Sequence, residues 1–304
     1  DRTGMGEIVA GALFVGAATS LPGAITSIST AIQDAPGLAV GNALGGLTAQ
    51  TAFIAIADLF YRRANLEHAA ASVTGLAQGV LLVVLLAVPL IAASEPPVTI
   101  WGIHPVSFAI PVAYGFGLKL LTQIQRDPMW EPVQTDETQE ALSDPDEGED
   151  APSDRSLWVR FLLFAGVTAV AGYFIGEASI ALVEKTSLSE SAVGTVFAAV
   201  ANSLPELVTA IAAVRIGAVS LAVGDVIGGN AFEVMFLCAA DLFYDGSIYD
   251  TMSAQDRTTG LIAMLMTGVL LLGMLRREKS GIGNIGFESA LVLVLYAGSV
   301  ALLF

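Results

Sequence analysis

The chain consists of long apolar runs separated by short polar segments. Of its 304 residues, 54% are hydrophobic and 14% are charged, and the mean hydropathy is +0.70. Most runs approach or exceed the ~20 residues that a helix needs to cross a bilayer, and they do not alternate as barrel strands do. We therefore predict an all-α polytopic membrane protein, embedded in the lipid bilayer. The nine predicted helices cover residues 6–33, 37–60, 69–93, 98–123, 157–183, 191–216, 218–243, 258–275 and 285–304.

The sequence repeats itself with an offset of 183 positions. Residues 16–61 and 199–244 are identical at 19 of 46 positions without a gap. The motifs ATSLPG and GNALGG of the first copy return as ANSLPE and GDVIGG, and both copies end in DLFY. The third predicted helix falls on the eighth, and the fourth on the ninth. Five helices is an odd number, so two such repeats insert in opposite senses, as the inverted repeats of secondary transporters do.

The fifth predicted helix has no counterpart in the first copy. We therefore expect two inverted-topology repeats of five helices, with the first helix of repeat 1 absent from this chain because it was removed or lies outside it. The predicted domains are residues 1–125 (first repeat, four helices), 126–156 (acidic linker) and 157–304 (second repeat, five helices).

Acidic residues dominate the charge and concentrate in the linker. The net charge is −16, and 11 acidic residues with no lysine or arginine lie between Asp127 and Asp154. Such a segment is typical of a solvated, disordered linker. A regulatory Ca²⁺-binding loop is the alternative, but the acids lack the spacing and turn glycine of such a loop. The acidic surface argues against nucleic acid as a partner.

Basic residues predict the orientation. With alternating spans, 11 of the 13 lysines and arginines fall near one membrane face, which makes that face cytoplasmic by the positive-inside rule. The linker is then cytoplasmic. The compact chain with its short central loop favours a prokaryotic cell (inner) membrane. These 11 residues are Arg2, Arg62, Arg63, Lys119, Arg126, Arg155, Arg160, Arg215, Arg276, Arg277 and Lys279.

Three carboxylates lie inside the apolar runs of the second repeat: Glu206, Asp225 and Glu233. Carboxylates at bilayer depth are costly and usually mark an ion or proton pathway. Pro205 removes a backbone donor and so frees carbonyl oxygens beside Glu206. Oxygen ligands without His or Cys favour Na⁺, Ca²⁺ or similar hard cations. The alternative is a proline-kinked helix whose polar groups only hydrogen-bond to neighbouring helices.

Neutral oxygen donors accompany these carboxylates in both repeats. Asn202 lies one helical turn before Glu206 on the same face, with Ser203 beside it. The inverted first repeat brings its own polar residues to related positions. The predicted neutral ligands are Asn202, Ser203, Thr19, Ser20 and Asn42.

Asp58 and Asp241 are equivalent by the repeat, and both lie near the end of a predicted helix. A carboxylate at a helix end is commonly exposed to water. We therefore predict that both are solvated end caps, with charges of an ion vestibule as the alternative.

The paired motifs ATSLPG…GNALGG and ANSLPE…GDVIGGN resemble the two alpha-repeats of the cation/Ca²⁺ exchanger superfamily. The resemblance covers both motif pairs and, through the constant offset, essentially all nine helices. It implies ten helices in two inverted halves, a cytoplasmic loop between them, and exchange of Ca²⁺ against Na⁺ or H⁺. By position, Glu206 matches the second-repeat glutamate of the family, and Asn202 and Ser203 match its hydroxyl and carbonyl ligands. Asp225 and Asn42 match its paired Asp and Asn.

Three positions depart from the family pattern. Gly23 stands where the family has its first-repeat glutamate. The asparagine after the second glycine pair is kept as Asn230 but is Leu47 in the first copy. Glu233 stands where the family commonly has a neutral residue, and its repeat equivalent is Gln50. One half of the site has therefore lost a central carboxylate, and the other half carries an additional one.

These features predict a secondary active cation antiporter with no enzymatic activity and no cofactor. The leading hypothesis is Na⁺/Ca²⁺ exchange by alternating access at a midplane carboxylate site, since one divalent ion or two Na⁺ neutralise the same two carboxylates. One alternative is an H⁺-coupled Ca²⁺ or Na⁺ antiporter with Glu206 or Glu233 as the proton carrier. Another, suggested by Gly23, is a non-transporting cation sensor or membrane scaffold.

Overall fold

The computed structural model describes residues 19–133, 135, 138, 154–281 and 285–304. Residues 6–18 of the first predicted helix and most of the predicted linker lie outside this part. We number the helices in chain order: α1 (Leu21–Ile32), α2 (Pro36–Asp58), α3 (Leu66–Ala69), α4 (Val73–Ala92), α5 (Val106–Arg126), α6 (Asp154–Lys185), α7 (Glu190–Ile216), α8 (Val219–Phe243), α9 (Ala254–Arg276) and α10 (Phe287–Ala301).

Each of the nine predicted runs contains a helix, and the short helix α3 is additional. Helices α2, α4, α7, α8 and α9, and α6 from Phe161 onwards, are long and apolar enough to cross a membrane. Helices α1 and α10 are apolar but shorter. The described residues contain no β-strand, only an isolated bridge between Ile100 and Ile103. The prediction of an all-α polytopic membrane protein is confirmed.

The centre of the bundle is formed by α2 and α8, the two helices that carry the glycine-pair motifs. Helix α2 is almost entirely buried, and most of α8 is buried as well. A side-chain carbon at Gly41 would lie 2.9 Å from the carbonyl oxygen of Ser191, and one at Gly45 would lie 2.5 Å from the Cα of Thr195. The backbone of α2 therefore lies directly against the first turns of α7, which are π-helical at Val193–Ala198.

Helix α6 lies at the periphery. Most of its length is exposed, and its main contacts are with α1. A side-chain carbon at Gly172 would lie 2.7 Å from the Cα of Pro22, and one at Gly176 would lie 2.7 Å from the Oγ of Ser29. One face of α6 thus packs closely on α1 while the other remains available to lipid.

The predicted start of the fourth helix, at residue 98, is wrong. Helix α5 begins at Val106, directly after Pro105. Trp101 and Gly102 both adopt positive φ angles, 55° and 82°, so the chain turns there instead of entering a helix. The apolar residues of this turn resemble a membrane segment in composition, which misled the prediction.

The predicted third helix, residues 69–93, is interrupted at its start. Helix α3 ends at Ala69 and α4 begins at Val73. The hydroxyl of Ser72 accepts the N–H of Gly75 at 3.0 Å and so caps α4. The cap fixes a new helix start that hydropathy alone does not reveal.

The prediction that Asp58 and Asp241 are solvated end caps is wrong. Both residues are 0% exposed. The Oδ1 of Asp58 accepts the N–H of Leu66 at 2.7 Å, and its Oδ2 accepts the N–H of Gly286 at 3.1 Å. Asp58 therefore joins the loop after α2 to the residue just before α10.

Asp241 makes the equivalent connection at the other end of the bundle. Its Oδ1 accepts the N–H of Ile248 at 2.8 Å, and its Oδ2 accepts the N–H of His104 at 2.9 Å and the hydroxyl of Ser107 at 2.6 Å. Each aspartate thus binds two segments. One is the loop that follows its own helix, and the other is the start of the last helix of the other repeat. These two buried corners tie the repeats to each other.

The two corners differ in one side chain. At the Asp241 corner, the hydroxyl of Tyr249 lies 2.9 Å from that of Ser107. At the Asp58 corner, the corresponding contact is a hydrogen bond from the hydroxyl of Ser289 to the carboxyl group of Glu67. Only the Asp58 corner therefore places a second carboxyl group beside its buried aspartate.

We predict that Glu67 makes stability depend on pH. Burial, and then the neighbouring Asp58 and Glu288 carboxylates, raise the pKa of Glu67 to about 7 from an ordinary value of 4.5, although the hydrogen bond from Ser289 opposes the shift. The folded protein then binds more protons than the unfolded chain between these values, so stability falls as the pH rises from about 4.5 to about 7. Glu67→Gln should reduce this slope and stabilise the protein at pH 8 by up to ~3 kcal/mol, at ~1.4 kcal/mol per pKa unit.

Thermal unfolding of the purified protein in detergent, between pH 5 and 8.5, measures this effect. Tyr249→Phe is the matched control, since it alters the equivalent contact at the other corner without removing a carboxyl group. Glu288, which also receives a 3.2 Å hydrogen bond from Arg276, stays unchanged in both variants. An unaltered pH slope in Glu67→Gln would contradict the prediction.

Candidate cation site

The predicted ligands of both repeats meet where α1 and α7 pass α2 and α8. The hydroxyl of Ser20, just before α1, donates to the Oε1 of Glu206 on α7 at 3.2 Å. Thr19 also interacts with the Glu206 carboxyl group. Glu206 is 2% exposed, and its Oε2 has no hydrogen-bond partner. A carboxylate of the second repeat thus receives its neutral donors from the first repeat.

Asn202 and Asn42 form a hydrogen-bonded network between the repeats. The side-chain amide of Asn202 donates to the Oδ1 of Asn42 at 2.8 Å and to the hydroxyl of Thr26 at 3.0 Å. The amide of Asn42 donates to the carbonyl of Gly23 and to the hydroxyl of Ser27, both at 2.9 Å. These two predicted ligands hold α1, α2 and α7 together in this structure.

Glu233 and Gln50 face each other directly, although they lie on different repeats. The Nε2 of Gln50 donates to the Oε1 of Glu233 at 2.5 Å and to the hydroxyl of Ser203 at 3.4 Å. The Oε2 of Glu233 has no partner. Because Gln50 and Glu233 are equivalent by the offset of 183, their contact lies at the axis that relates the repeats. Asn230 and Leu47, also equivalent, meet there through a 3.5 Å hydrogen bond.

Asp225 lies on α8, two turns before Glu233. It is 8% exposed, and its Oδ1 has no hydrogen-bond partner. Glu206 lies within electrostatic range of both Asp225 and Glu233.

The structure brings the predicted residues into two groups. One contains Thr19, Ser20, Ser203, Glu206 and Glu233, with Asp225 beside Glu206. The other is the Asn42–Asn202 network. Within the described residues, no three Asp, Glu, His or Cys side chains form a group that could hold a metal ion. A cation bound here would need neutral hydroxyl, amide or carbonyl oxygens as well as carboxylates.

Sequence reasoning missed two contributors. Ser27 supports Asn42, and no motif marks it. Gln50 supports Glu233, and the offset of 183 already paired these two residues. Equivalent residues of two repeats can meet only at the axis between them, and this rule would have identified the contact.

Space at position 23 is limited. A side-chain carbon at Gly23 would lie 2.9 Å from the Cε2 of Phe236 on α8, so any side chain there requires the ring to move. The position that holds a glutamate in the family pattern is thus closed by an aromatic ring in this protein. Phe236 is 3% exposed and belongs to the main apolar core.

Two related sets of helices around a buried, oxygen-rich centre are the architecture of a secondary transporter for cations. The chain belongs to the sodium/calcium exchanger protein family, whose model matches residues 1–116 and 156–304.

Two relatives are similar to the chain in sequence. The chain is 31% identical over 145 residues to the sodium/calcium exchanger MaX1 of Methanosarcina acetivorans, a match that covers 47% of this chain and 41% of that protein. It is 28% identical over 298 residues to the inner membrane protein YrbG of Escherichia coli, covering 92% of this chain and 83% of that protein.

The fold is similar to that of the sodium-calcium exchanger NCX_Mj. The structure soaked with zero Na⁺ and Ca²⁺ gives a TM-score of 0.63 at 17% identity and covers 98% of this chain and 88% of that one. The structure soaked with 10 mM Na⁺ and 10 mM Sr²⁺ gives 0.64 at 17% identity, covering 97% and 86%.

We predict that the close contact of α6 with α1 does not tolerate a methyl group. Gly172→Ala places a carbon against the backbone of Pro22 and should destabilise the protein by ~1–3 kcal/mol, the usual cost of overpacking. Gly166→Ala, on the same helix with no atom within 4 Å, is the control and should change stability by less than ~0.5 kcal/mol. Thermal unfolding in detergent compares them, and equal stability of the two variants would refute the prediction.

Proposed function

We propose that the protein is a secondary active antiporter that exchanges Na⁺ for Ca²⁺ by alternating access at a carboxylate site near the bilayer midplane. The contact between Ser20 and Glu206 carries the proposal. It joins the two repeats at a buried carboxylate that keeps one oxygen without a partner. Burial of such a group is costly unless a ligand uses it, which favours an ion site over a scaffold.

Charge equivalence explains how one site exchanges two ions. Glu206 and Asp225 are the proposed charged ligands, and both are buried with an oxygen free of hydrogen bonds. One Ca²⁺ or two Na⁺ neutralise the pair equally. Thr19, Ser20 and Ser203 supply hydroxyl oxygens beside Glu206. Asn42 and Asn202 can supply amide oxygens when their mutual hydrogen bond opens.

Helix α6 is the proposed moving element. It is largely exposed and packs on α1 through glycines, whereas α2 and α8 are buried at the centre. Small residues at a helix contact let two backbones approach closely without interlocking side chains. Sliding of α6 along α1 would expose the site alternately to the two sides while the central helices stay in place.

We also propose that the acidic linker faces the cytoplasm of a prokaryotic cell with the protein in its inner membrane. The support is the bias of basic residues toward the linker side and the similarity to an inner membrane protein of Escherichia coli.

Ion flux through reconstituted vesicles tests the function. Vesicles loaded with Na⁺ should accumulate radioactive Ca²⁺ when diluted into Na⁺-free medium, and Glu206→Gln should lower the uptake at least ~10-fold, since losing ~1.4 kcal/mol of binding is already tenfold. Glu184→Gln removes an exposed acid at the end of α6 and is the matched control.

The driving gradient separates the hypotheses. Uptake driven by a pH gradient but not by Na⁺ would replace Na⁺/Ca²⁺ exchange with H⁺-coupled antiport. Absence of Ca²⁺ or Na⁺ flux under every gradient would favour the sensor or scaffold.

Cysteine labelling tests the orientation. Cys238 is the only cysteine and is buried, so an introduced cysteine can be labelled selectively. In intact cells, a membrane-impermeant maleimide should label Ser187→Cys, in the exposed loop between α6 and α7, and should label Ser143→Cys in the linker only after permeabilisation. The opposite pattern would reverse the proposed orientation.

A further inference from the structure

Two buried polar side chains belong to neither the cation site nor the aspartate corners. Gln78 on α4 is 1% exposed, and Tyr114 on α5 is 5% exposed. In the described part of the chain, the Oε1 and Nε2 of Gln78 and the hydroxyl of Tyr114 have no hydrogen-bond partner. Native proteins rarely leave buried polar atoms unpaired, because the hydration that they lose is not replaced. Three such atoms on neighbouring helices therefore indicate a shared ligand.

A small cavity joins these two side chains. Gln78 and Tyr114 line it from α4 and α5, and Gly228 and Ala231 line it from α8. Small residues on α8 leave space there that a larger side chain would fill. The volume of the cavity is about 10 Å³, close to the minimum that one water molecule needs. None of the residues that line it belongs to the proposed cation site.

The repeat does not require polar side chains at these positions. The offset of 183 pairs Gln78 with Leu261 and Tyr114 with Ala297. The equivalent positions of the second repeat are therefore apolar. The polar pair is a property of the first repeat alone, and the fold that the two repeats share does not explain it.

The chemistry of the cavity favours water over a cation. The Gln78 amide offers donors and an acceptor, the Tyr114 hydroxyl offers one of each, and a water molecule can bind to all of them. The N–H groups of Gln78 would repel a cation. Among the described residues that line the cavity, none has a carboxyl group. An uncompensated charge in the membrane interior is costly, whereas a hydrogen-bonded water is a common part of protein interiors.

A wider pocket opens on the side of the bundle where the linker begins. Its volume is about 210 Å³, and its lining includes Thr74 of α4, Gln125 of α5 and Glu131. Thr74 precedes Gln78 by four residues on the same face of α4, a rise of ~6 Å. The Oε1 of Gln125 is buried and has no partner among the described residues. Polar groups therefore continue from this surface pocket toward the cavity.

We propose that Gln78 and Tyr114 form a buried water site, and that Thr74 connects it to the surface pocket as a hydration route from the linker side of the membrane. Water then enters the bundle along α4 and α5 without any movement of α6. Because Asp225 precedes Gly228 by one turn on α8, the route ends one turn from a proposed cation ligand. The route goes beyond the proposed exchange and does not depend on which ions are transported.

Oxidative labelling by X-ray radiolysis of the purified protein in detergent tests the water site. Hydroxyl radicals formed from a bound water oxidise the aromatic ring beside it, and mass spectrometry measures the rate at each tyrosine. Tyr114 should be oxidised at least ~5-fold faster than Tyr249. Tyr249 is also buried, but its hydroxyl contacts Ser107 and Cys238. Equal rates at the two tyrosines would overturn the water site.

Two variants separate bound water from slight exposure of the ring. Gln78→Leu keeps a similar size and should reduce the oxidation of Tyr114 to the rate of Tyr249. An unchanged rate at Tyr114 in a folded Gln78→Leu protein would contradict the proposal. Replacing choline by Na⁺ in the buffer should not alter the rate at Tyr114, and a lower rate in Na⁺ would assign the cavity to a cation instead.

Thermal unfolding gives an independent test that does not rely on labelling. Gln78→Leu and Tyr114→Phe should each lower the melting temperature, because the remaining polar group loses its water. The double variant should melt no lower than the less stable single variant, since both changes remove one shared water. Increases in melting temperature that add up would mean a dry cavity and would refute the proposal. Tyr114→Phe gives the same test of sign by itself if Gln78→Leu does not fold.

Rapid mixing with heavy-oxygen water before irradiation tests the route. The heavy isotope should appear in oxidised Tyr114 as soon as water in the cavity exchanges. Thr74→Leu places a larger apolar side chain between the pocket and the cavity, and it should slow this exchange at least ~10-fold. Thr74→Ser keeps the hydroxyl and is the matched control, with exchange as in wild type. Equal exchange in Thr74→Leu and wild type would overturn the route.

Discussion

Backbone contact between the central helices is the constraint on which the other features depend. Gly41 and Gly45 bring α2 against α7, and Gly194 on α7 faces α2 in turn, where a side-chain carbon would lie 2.7 Å from the carbonyl of Leu38. Between helices in lipid there is no hydrophobic driving force, so association relies on close packing and hydrogen bonds. Close approach also allows short side chains such as Asn42 to reach a neighbouring helix.

Two buried carboxylates of this bundle, Glu206 and Glu233, receive a donor from the opposite repeat. Ser20 serves Glu206, and Gln50 serves Glu233. Each carboxylate nevertheless keeps an oxygen without a partner. Leaving such atoms unsatisfied lowers stability, and acids buried inside a membrane usually mark functional sites. The buried corners at Asp58 and Asp241 differ from these sites, because both oxygens of each carboxylate accept hydrogen bonds. There the acid has a structural role.

The repeat offset predicted much of this arrangement, and particular residues show its limit. It paired Ser20 with Ser203, Asn42 with Asp225 and Gln50 with Glu233, and it gave the helices approximately the right order and number. It did not show that Asp58 would be buried, because the partner of Asp58 is the N–H of Gly286, at the start of the last helix of the other repeat. Contacts between segments more than 200 residues apart leave no trace in local composition.

The sequence by itself determined the class of the protein. Hydropathy indicated a helical membrane protein, and the doubled motifs indicated a two-repeat transporter of the exchanger family. Only the tertiary structure decided which polar residues meet: that Asn42 and Asn202 bind each other, that Gln50 faces Glu233, and that Phe236 closes the space beside Gly23. Chain order fixes which residues are equivalent, whereas the contact between them depends on where the axis of the repeats passes, and packing in three dimensions sets that position.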